Sequence, residues 1–458
     1  MSEHKQPNII LILTDHFRRD ALHPGVTPNL KRLADEGTRF ANATTASPLC
    51  QPARNCIITG MHASDNGICG NQQPPLDPDQ REETFMRRLQ DAGYHTALIG
   101  KHHYIDRYGI GMDVKEDDEA VKSYGFDQVL QVLDDGENAH NMDEYTAWLA
   151  AQGRLEKFRA ALAGDESAVG KNTGGHPFEP DETADGFIGT RGIRFVEEYE
   201  REQPFYLNLS FVGPHPPFWH PGDTREGLSD YMPVKGTEDT PQLRRRRSKY
   251  LEKCSLIDDY VGRLTETLER TGLLDNTVII FTSDHGDMLG NHGIWDKRYF
   301  HEESVGVPLF MTGGPIEGEQ RKCGARVSKA LVNNLDLYPT MLDLAGIEPD
   351  ASRKRPGKSL LRQLDETVSG HDHVIAELGT AMMIRTGNWK LVYDPQAGGV
   401  QYLFNLASDP EELCNLAGKA GYEQVSAELI EKLLAARIRR TQHTHVKEEQ
   451  RLQRVHIP

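Results

Sequence analysis

Ile9-Ile10-Leu11-Ile12-Leu13 is an unbroken apolar run, and a run without alternation belongs to a strand buried on both faces. Three later segments also read as strands: Tyr94 to Ile99, Phe205 to Val212 and the β-branched Thr277 to Phe281. Each of the four leads into residues able to bind a metal or an anion: Asp15-His16, Lys101-His102-His103, His215 and Asp284-His285. Open α/β sheets hold their ligands at the carboxyl ends of their strands. The pattern therefore predicts an α/β chain whose site is assembled from strand ends. Asp15 taken alone would serve equally as a turn cap.

Helical patterns fill the intervals. Thr27 reads as an N-cap with Pro28 at the first helical position; Leu30, Leu33 and Ala34 form the apolar face and Gly37 stops the helix. Arg81 to Ala92 turns Phe85 and Leu89 inward. From Gln242 to Arg270, residues Tyr250, Cys254, Ile257, Val261, Leu264 and Leu268 recur at steps of four and three, which predicts one long helix. The basic run Arg244 to Arg247 at its start reads as a solvated face. Asn333 to Gly346 reads as a further helix. Residues 105–183 are polar and weakly periodic, with a helical island at Asp143 to Ala163. They form an insertion over the sheet edge, either a lid or specificity region or a surface excursion without a catalytic role.

A length of 458 residues exceeds one core. Near residue 371 the pattern changes to short runs separated by turns: Val374 to Glu377, Met382 to Arg385, Trp389 to Tyr393 and Gln401 to Phe404. These predict a small antiparallel sheet, with a helix at Tyr422 to Arg439 packed on it. The expected division is a catalytic unit at 1–370, a C-terminal α+β subdomain at 371–440 and a polar tail at 441–458. The tail reads as disordered or as an interaction arm, which would suit contacts in a homo-oligomer.

The net charge of −17 argues against nucleic acid as a partner. Cysteines at 50, 56, 69, 254, 323 and 414 make no CxxC pattern, which fits a reducing compartment. The first apolar run is too short to span a membrane and lacks a cleavage site, so the expectation is a cytoplasmic protein without membrane association.

The segment Ser47-Pro48-Leu49-Cys50-Gln51-Pro52-Ala53-Arg54 brackets a cysteine with prolines and places an arginine four residues on. Ile57-Ile58-Thr59-Gly60 then suits a buried helix ended by glycine. This stretch resembles the sulfatase signature C-x-P-[SA]-R-x-x-x-x-T-G. The resemblance extends along nearly the whole chain: Gly100-Lys101-His102-His103 matches G-K-x-H, and Pro214-His215-Pro216-Pro217 matches a P-H-x-P context. Ser283-Asp284-His285-Gly286 matches the second signature, which continues to Lys297.

Membership of the type I sulfatases, in the alkaline phosphatase superfamily, implies a sandwich with a large central mixed sheet flanked by helices and a small C-terminal subdomain. It implies that a formylglycine-generating enzyme converts Cys50 to Cα-formylglycine, whose hydrate is the nucleophile for a small anionic sulfate ester and whose second hydroxyl releases sulfate. It further implies one divalent cation on Asp15, His16, Asp284 and His285, which is Ca²⁺ by family. Arg54 would orient the nucleophile, Lys101 would hold a sulfuryl oxygen and His103 would act as base in the elimination step. His215 and Lys297 would serve the leaving-group oxygen, and Asn71 would donate to the substrate anion. Asp287, His62, His102 and His292 read as structural, and Cys56 and Cys69 as core.

His16 departs from the family pattern, which has Asp in many sulfatases and Gln in the phosphonate monoester hydrolase branch. Asp with two histidines favours Mn²⁺ or Zn²⁺ over Ca²⁺; alternatively His16 does not ligate. Three rival readings follow. The same machinery could act on phosphonate monoesters or phosphodiesters, the scaffold could be a non-catalytic binding protein, or Cys50 could remain a thiol. Lys101 and His103 lean toward sulfate, and His285 leans mildly the other way. The leaving group has no signature in the sequence.

Overall fold

The computed structural model describes residues 6–105, 109–163, 175–222, 225–317, 326–350, 355–364 and 370–455, with side chains through 440. The four apolar runs become β1 (Asn8–Asp15), β3 (His95–Gly100), β5 (Phe205–Pro214) and β6 (Thr277–Ser283). Four more strands complete the sheet: β2 (Thr38–Thr44), β4 (Gln128–Gln131), β7 (Leu309–Thr312) and β8 (Arg326–Asn333). The order is β4-β3-β5-β1-β6-β7-β2-β8, with β7 alone antiparallel to its neighbours. The carboxyl ends of β1, β2, β3, β5 and β6 therefore share one edge.

The central strand shows why its sequence does not alternate. Ile10 and Ile12 of β1 enter one core cluster, and Ile9, Leu11 and Leu13 enter the cluster on the opposite face. Helices α1 (Pro28–Glu36), α2 (Cys50–Thr59), α3 (Phe85–Asp91), α4 (Glu144–Ala151), α5 (Leu155–Ala163), α6 (Ala184–Glu197), α7 (Pro241–Arg270) and α8 (Leu337–Ala345) cover the two faces. Leu30 of α1, Ile188 of α6 and Tyr250 of α7 pack on the Ile10 side; Ile57 of α2, Leu89 of α3 and Met341 of α8 pack on the other. The stretch 105–183 supplies β4, which pairs in parallel with β3 at the sheet edge.

Two local expectations are corrected. Thr27 precedes α1 but does not cap it; its hydroxyl bonds to Ala21 O. Asp258 of α7 takes that place, accepting from the N–H groups of Asn29 and Leu30. The basic run of α7 is only partly solvated. Arg247 is buried, donating to Leu289 O, Met232 O and Asn291, and the Arg246 guanidinium lies 3.5 Å from the centroid of the Trp295 ring. Buried carbonyls need donors wherever a loop crosses the core, and the guanidinium supplies them.

Strands β9 (Val374–Leu378), β10 (Ala381–Arg385), β11 (Trp389–Asp394) and β12 (Gly399–Asn405) form a separate antiparallel sheet. One of its faces packs under Leu429 and Leu433 of α9 (Glu423–Val455). The other meets Phe300 and Val305. α9 continues well beyond the end expected near Arg439, through the segment expected to be a tail. Between the two sheets the buried Lys390 ammonium contacts Glu302, Glu412 and Phe300 O at 2.6–2.9 Å. No helix among the described residues is long and apolar enough to cross a membrane.

Candidate active site

Five strand ends and one loop converge. Asp15 and His16 follow β1, Cys50 opens α2 after β2, Lys101 and His103 follow β3, His215 follows β5, and Asp284 and His285 follow β6; Lys297 comes from the loop beyond. The turns out of the sheet are sharp. His16 and His103 have φ of 66° and 52°, a conformation that costs non-glycine residues roughly 1–3 kcal/mol and concentrates at functional sites. At Gly100 a Cβ would lie 1.9 Å from Ser210 O, so only glycine lets β3 approach β5 closely enough to deliver Lys101.

All ten residues of α2 are buried. Pro52 sits in the first turn, where a missing N–H costs nothing, and Gly60 ends the helix at φ 64°. Cys50 and Arg54 are one turn apart and share a face. Arg54 donates to Asp284 Oδ2 at 2.8 Å and to Lys101 O and Ser210 Oγ at 2.9 Å. Its fork thus ties α2 to β3, β5 and β6.

Four donor atoms close around one point. Cys50 Sγ lies 3.2 Å from His285 Nε2 and 3.6 Å from Asp15 Oδ1, and His285 Nε2 lies 3.6 Å and 3.7 Å from Asp15 Oδ1 and Asp284 Oδ1. His285 Nδ1 donates to Gly286 O at 2.9 Å, so Nε2 presents its lone pair to the cluster. Such spacings suit ligands roughly 2.0–2.3 Å from one divalent ion. Asp15, Asp284 and His285 thus fit a metal together with the residue at position 50. His16 falls in an adjoining group with Asp15, Cys50 and His215. Its Nδ1 bonds to Asp287 at 2.9 Å and its Nε2 accepts from Lys297 at 2.7 Å.

Lys297 spends all three of its donors here, on His16, on Cys50 Sγ at 3.0 Å and on His215 Nε2 at 3.2 Å. His215 Nδ1 donates to Pro216 O at 2.8 Å, which leaves Nε2 as the acceptor facing Lys297. Burial lowers the His215 imidazole, and Lys297 adds to the effect. Burial opposes ionisation of Asp15, but Lys101, His215, His16 and Arg54 more than offset it and hold the carboxyl well below its usual range. Burial likewise disfavours the Lys101 ammonium, yet Asp134 and Asp15 keep it charged. Burial and then Asp15 push the Cys50 thiol up, against Lys297 and Lys101.

A cleft of about 730 Å³ opens above Cys50 and is lined also by Asn71, His103, Asp134, His215, Lys297 and Arg298. Of the residues expected in the site, Cys50, Asn71, His103, His215 and Lys297 line this cleft, and Asp15, His16, Arg54, Lys101, Asp284 and His285 are linked to Cys50, to Lys297 or to one another beneath it. Asn71 Oδ1 accepts from the Gln51 N–H, which leaves its amide donors for another partner. Asp134 was missed. It binds Lys101 at 2.7 Å and approaches His215 at 3.9 Å. Cys69, expected in the core, lines the cleft.

The sequence profile described as Sulfatase matches residues 7–347. The chain belongs to the sulfatase family. The profile of the N-sulphoglucosamine sulphohydrolase C-terminal region matches residues 290–439 of this sulfatase. It is 32% identical to the choline-sulfatase of Rhizobium meliloti, over 90% of this chain and 82% of that one. It is 29% identical to the arylsulfatase of Clostridium perfringens, over 92% of each chain. Among solved structures, the phosphonate monoester hydrolase of Agrobacterium radiobacter superposes with a TM-score of 0.76 at 25% identity, over 95% of this chain and 96% of that one. The sulfatase is a sulfuric ester hydrolase with the alkaline-phosphatase-like fold.

Proposed function

We propose that this sulfatase hydrolyses a sulfate monoester at the floor of the Cys50 cleft, with Cys50 converted to formylglycine and one divalent cation held by Asp15, Asp284 and His285. The supporting observation is the convergence of Lys297, His285 and Asp15 on Cys50 Sγ, at 3.0, 3.2 and 3.6 Å. The cation would supply Lewis-acid stabilisation of charge on the nucleophile and on the sulfuryl oxygens. Formylglycine hydrate would supply the attacking hydroxyl and a second one for sulfate release.

The chain's own residues do the rest. Arg54 fixes the nucleophile helix against Asp284. Lys101, kept charged by Asp134, neutralises a sulfuryl oxygen. Lys297 and His215 meet the departing oxygen at the cleft side of Cys50: Lys297 gives it a proton and is left as the neutral amine, and His215 holds Lys297 in place through Nε2. His103 lines the same cleft and stands ready as base for the release step. Asn71 offers amide N–H groups to the anion. In this reading His16 positions Lys297 rather than binding the metal.

Peptide mass spectrometry of the Cys50 fragment from the native host, with turnover of an aryl sulfate, tests the reading. A fragment about 18 Da lighter than the cysteine form, unless hydration restores that mass, is expected alongside activity. Active protein with an unmodified thiol would sink it. A second reading, hydrolysis of phosphonate monoesters, draws on the likeness to the Agrobacterium radiobacter enzyme. Comparing kcat/KM on aryl sulfate and aryl phosphonate separates the two.

A further inference from the structure

A second cavity, of about 320 Å³, lies between the end of β8, the segment entering β9, and α9, away from the Cys50 cleft. Cationic and imidazole groups dominate its polar wall: Lys358, Arg439, Arg440, His62, His371 and His373. The acidic groups nearby are mostly committed. Asp336 accepts from the N–H of Lys358, from His371 Nε2 and from the N–H of Asn333. Asp65 and Glu377 take the two Nη groups of Arg440. Asp372 also lines the cavity but is exposed to solvent.

The donors are not used up. Among the described residues, Lys358 Nζ bonds to Gly370 O alone and Arg439 only to Ala435 O of its own helix. Arg440 Nε is buried and has no hydrogen-bond partner. His62 is 4% exposed, its ring lines the cavity, and its Nδ1 has no partner either. Burial, then Arg440, hold its imidazole down at about 3, so it stays neutral and keeps one N–H to donate. A buried donor without an acceptor is destabilising, and an incoming oxygen would relieve that. Leu335, Val374 and Ile375 supply an apolar side to the same space.

We infer that this cavity is a binding site for a small oxyanion, separate from the active site, with Lys358 and Arg439 at its mouth and His62 and Arg440 at its wall. The oxyanion is either a free inorganic ion or the head of a small organic phosphate whose body rests on Leu335, Val374 and Ile375. The inference does not depend on the identity of the nucleophile or of the ester cleaved.

Calorimetric titration of the full-length protein with inorganic phosphate and with n-butyl phosphate tests it. Two sites per chain are expected. Arg439→Glu should weaken one of them at least tenfold and leave the other, together with aryl sulfate turnover, unchanged. Tighter binding of butyl phosphate at the sensitive site assigns an organic anion; equal affinity assigns the free ion. A single site per chain, or Arg439→Glu isotherms matching the parent, overturns the inference. If Arg439→Glu melts early by circular dichroism, Arg439→Gln replaces it. That variant removes the charge without adding one, and the same loss at one site is expected.

Discussion

Lys297 has three N–H donors and three acceptors around it, so its removal strips hydrogen bonds from Cys50, His16 and His215 at once. Lys297→Ala should lower kcat/KM on aryl sulfates by about 10²–10⁴. The loss should grow as the leaving phenol becomes more basic, which a series of substituted aryl sulfates would reveal. Asp134→Asn should cost about tenfold to a hundredfold, as loss of a group that orients another does. Its effect should fall mainly on the step that Lys101 serves, read as a drop in kcat/KM that leaving-group basicity does not alter. The remaining candidate residues were legible because most follow an apolar run or lie in a short signature. Asp134 was not, because its partner Lys101 lies 33 residues earlier and its own segment carries no periodicity. The neighbours of His16 were hidden for a different reason. A sequence gives the imidazole but not which nitrogen faces which neighbour, and here Asp287 and Lys297 claim both.

Helix α1 owes its start to a side chain 229 residues away from Asn29, since Asp258 accepts its first free N–H groups. Asp258→Ala should destabilise the protein by about 1–2 kcal/mol, measured by denaturant unfolding. Burial pushes the Asp258 carboxyl up to about 6 against the pull of those N–H groups. The folded chain thus binds this proton more tightly than the unfolded one, whose ordinary value is about 3.9. The resulting stability is present below about pH 4 and is lost as pH rises through about 6. Asp258→Asn should flatten that part of the melting curve against pH. The strands divide in the same way between what pattern reveals and what it does not. β1, β3, β5 and β6 lie at the middle of the sheet, buried on both faces, and their apolar runs announce them. β4 and β8 are edge strands, partly exposed, and β2 reads Thr-Arg-Phe-Ala-Asn-Ala-Thr. Their pairing is decided by partners distant in sequence rather than by local composition.

The two sheets are joined by charge as well as by packing. Glu377 of β9 accepts from the N–H of Ser64 and from Arg440, which ties the small sheet and α9 to the turn beyond α2. Burial would raise its carboxyl, but His62 once protonated below about pH 3, Arg440 and the Ser64 N–H more than offset this and hold it at about 2. Its contribution to stability is present above about pH 4.3, the ordinary value for Glu, and is lost as pH falls through 2. Glu377→Gln should therefore lower the melting temperature at pH 7 and narrow the difference from the parent as pH drops toward 3. The burial of α2 has a consequence in time as well as in space. Cys50 is 1% exposed on a helix with no solvated face, so an enzyme the size of a protein cannot bring its own active site to that thiol. Any enzymatic conversion of Cys50 has a deadline, set by how soon after synthesis the chain closes around it. A chain made where the maturation machinery is scarce would stay a thiol for its lifetime, and supplying the machinery later would help only molecules that had first been unfolded.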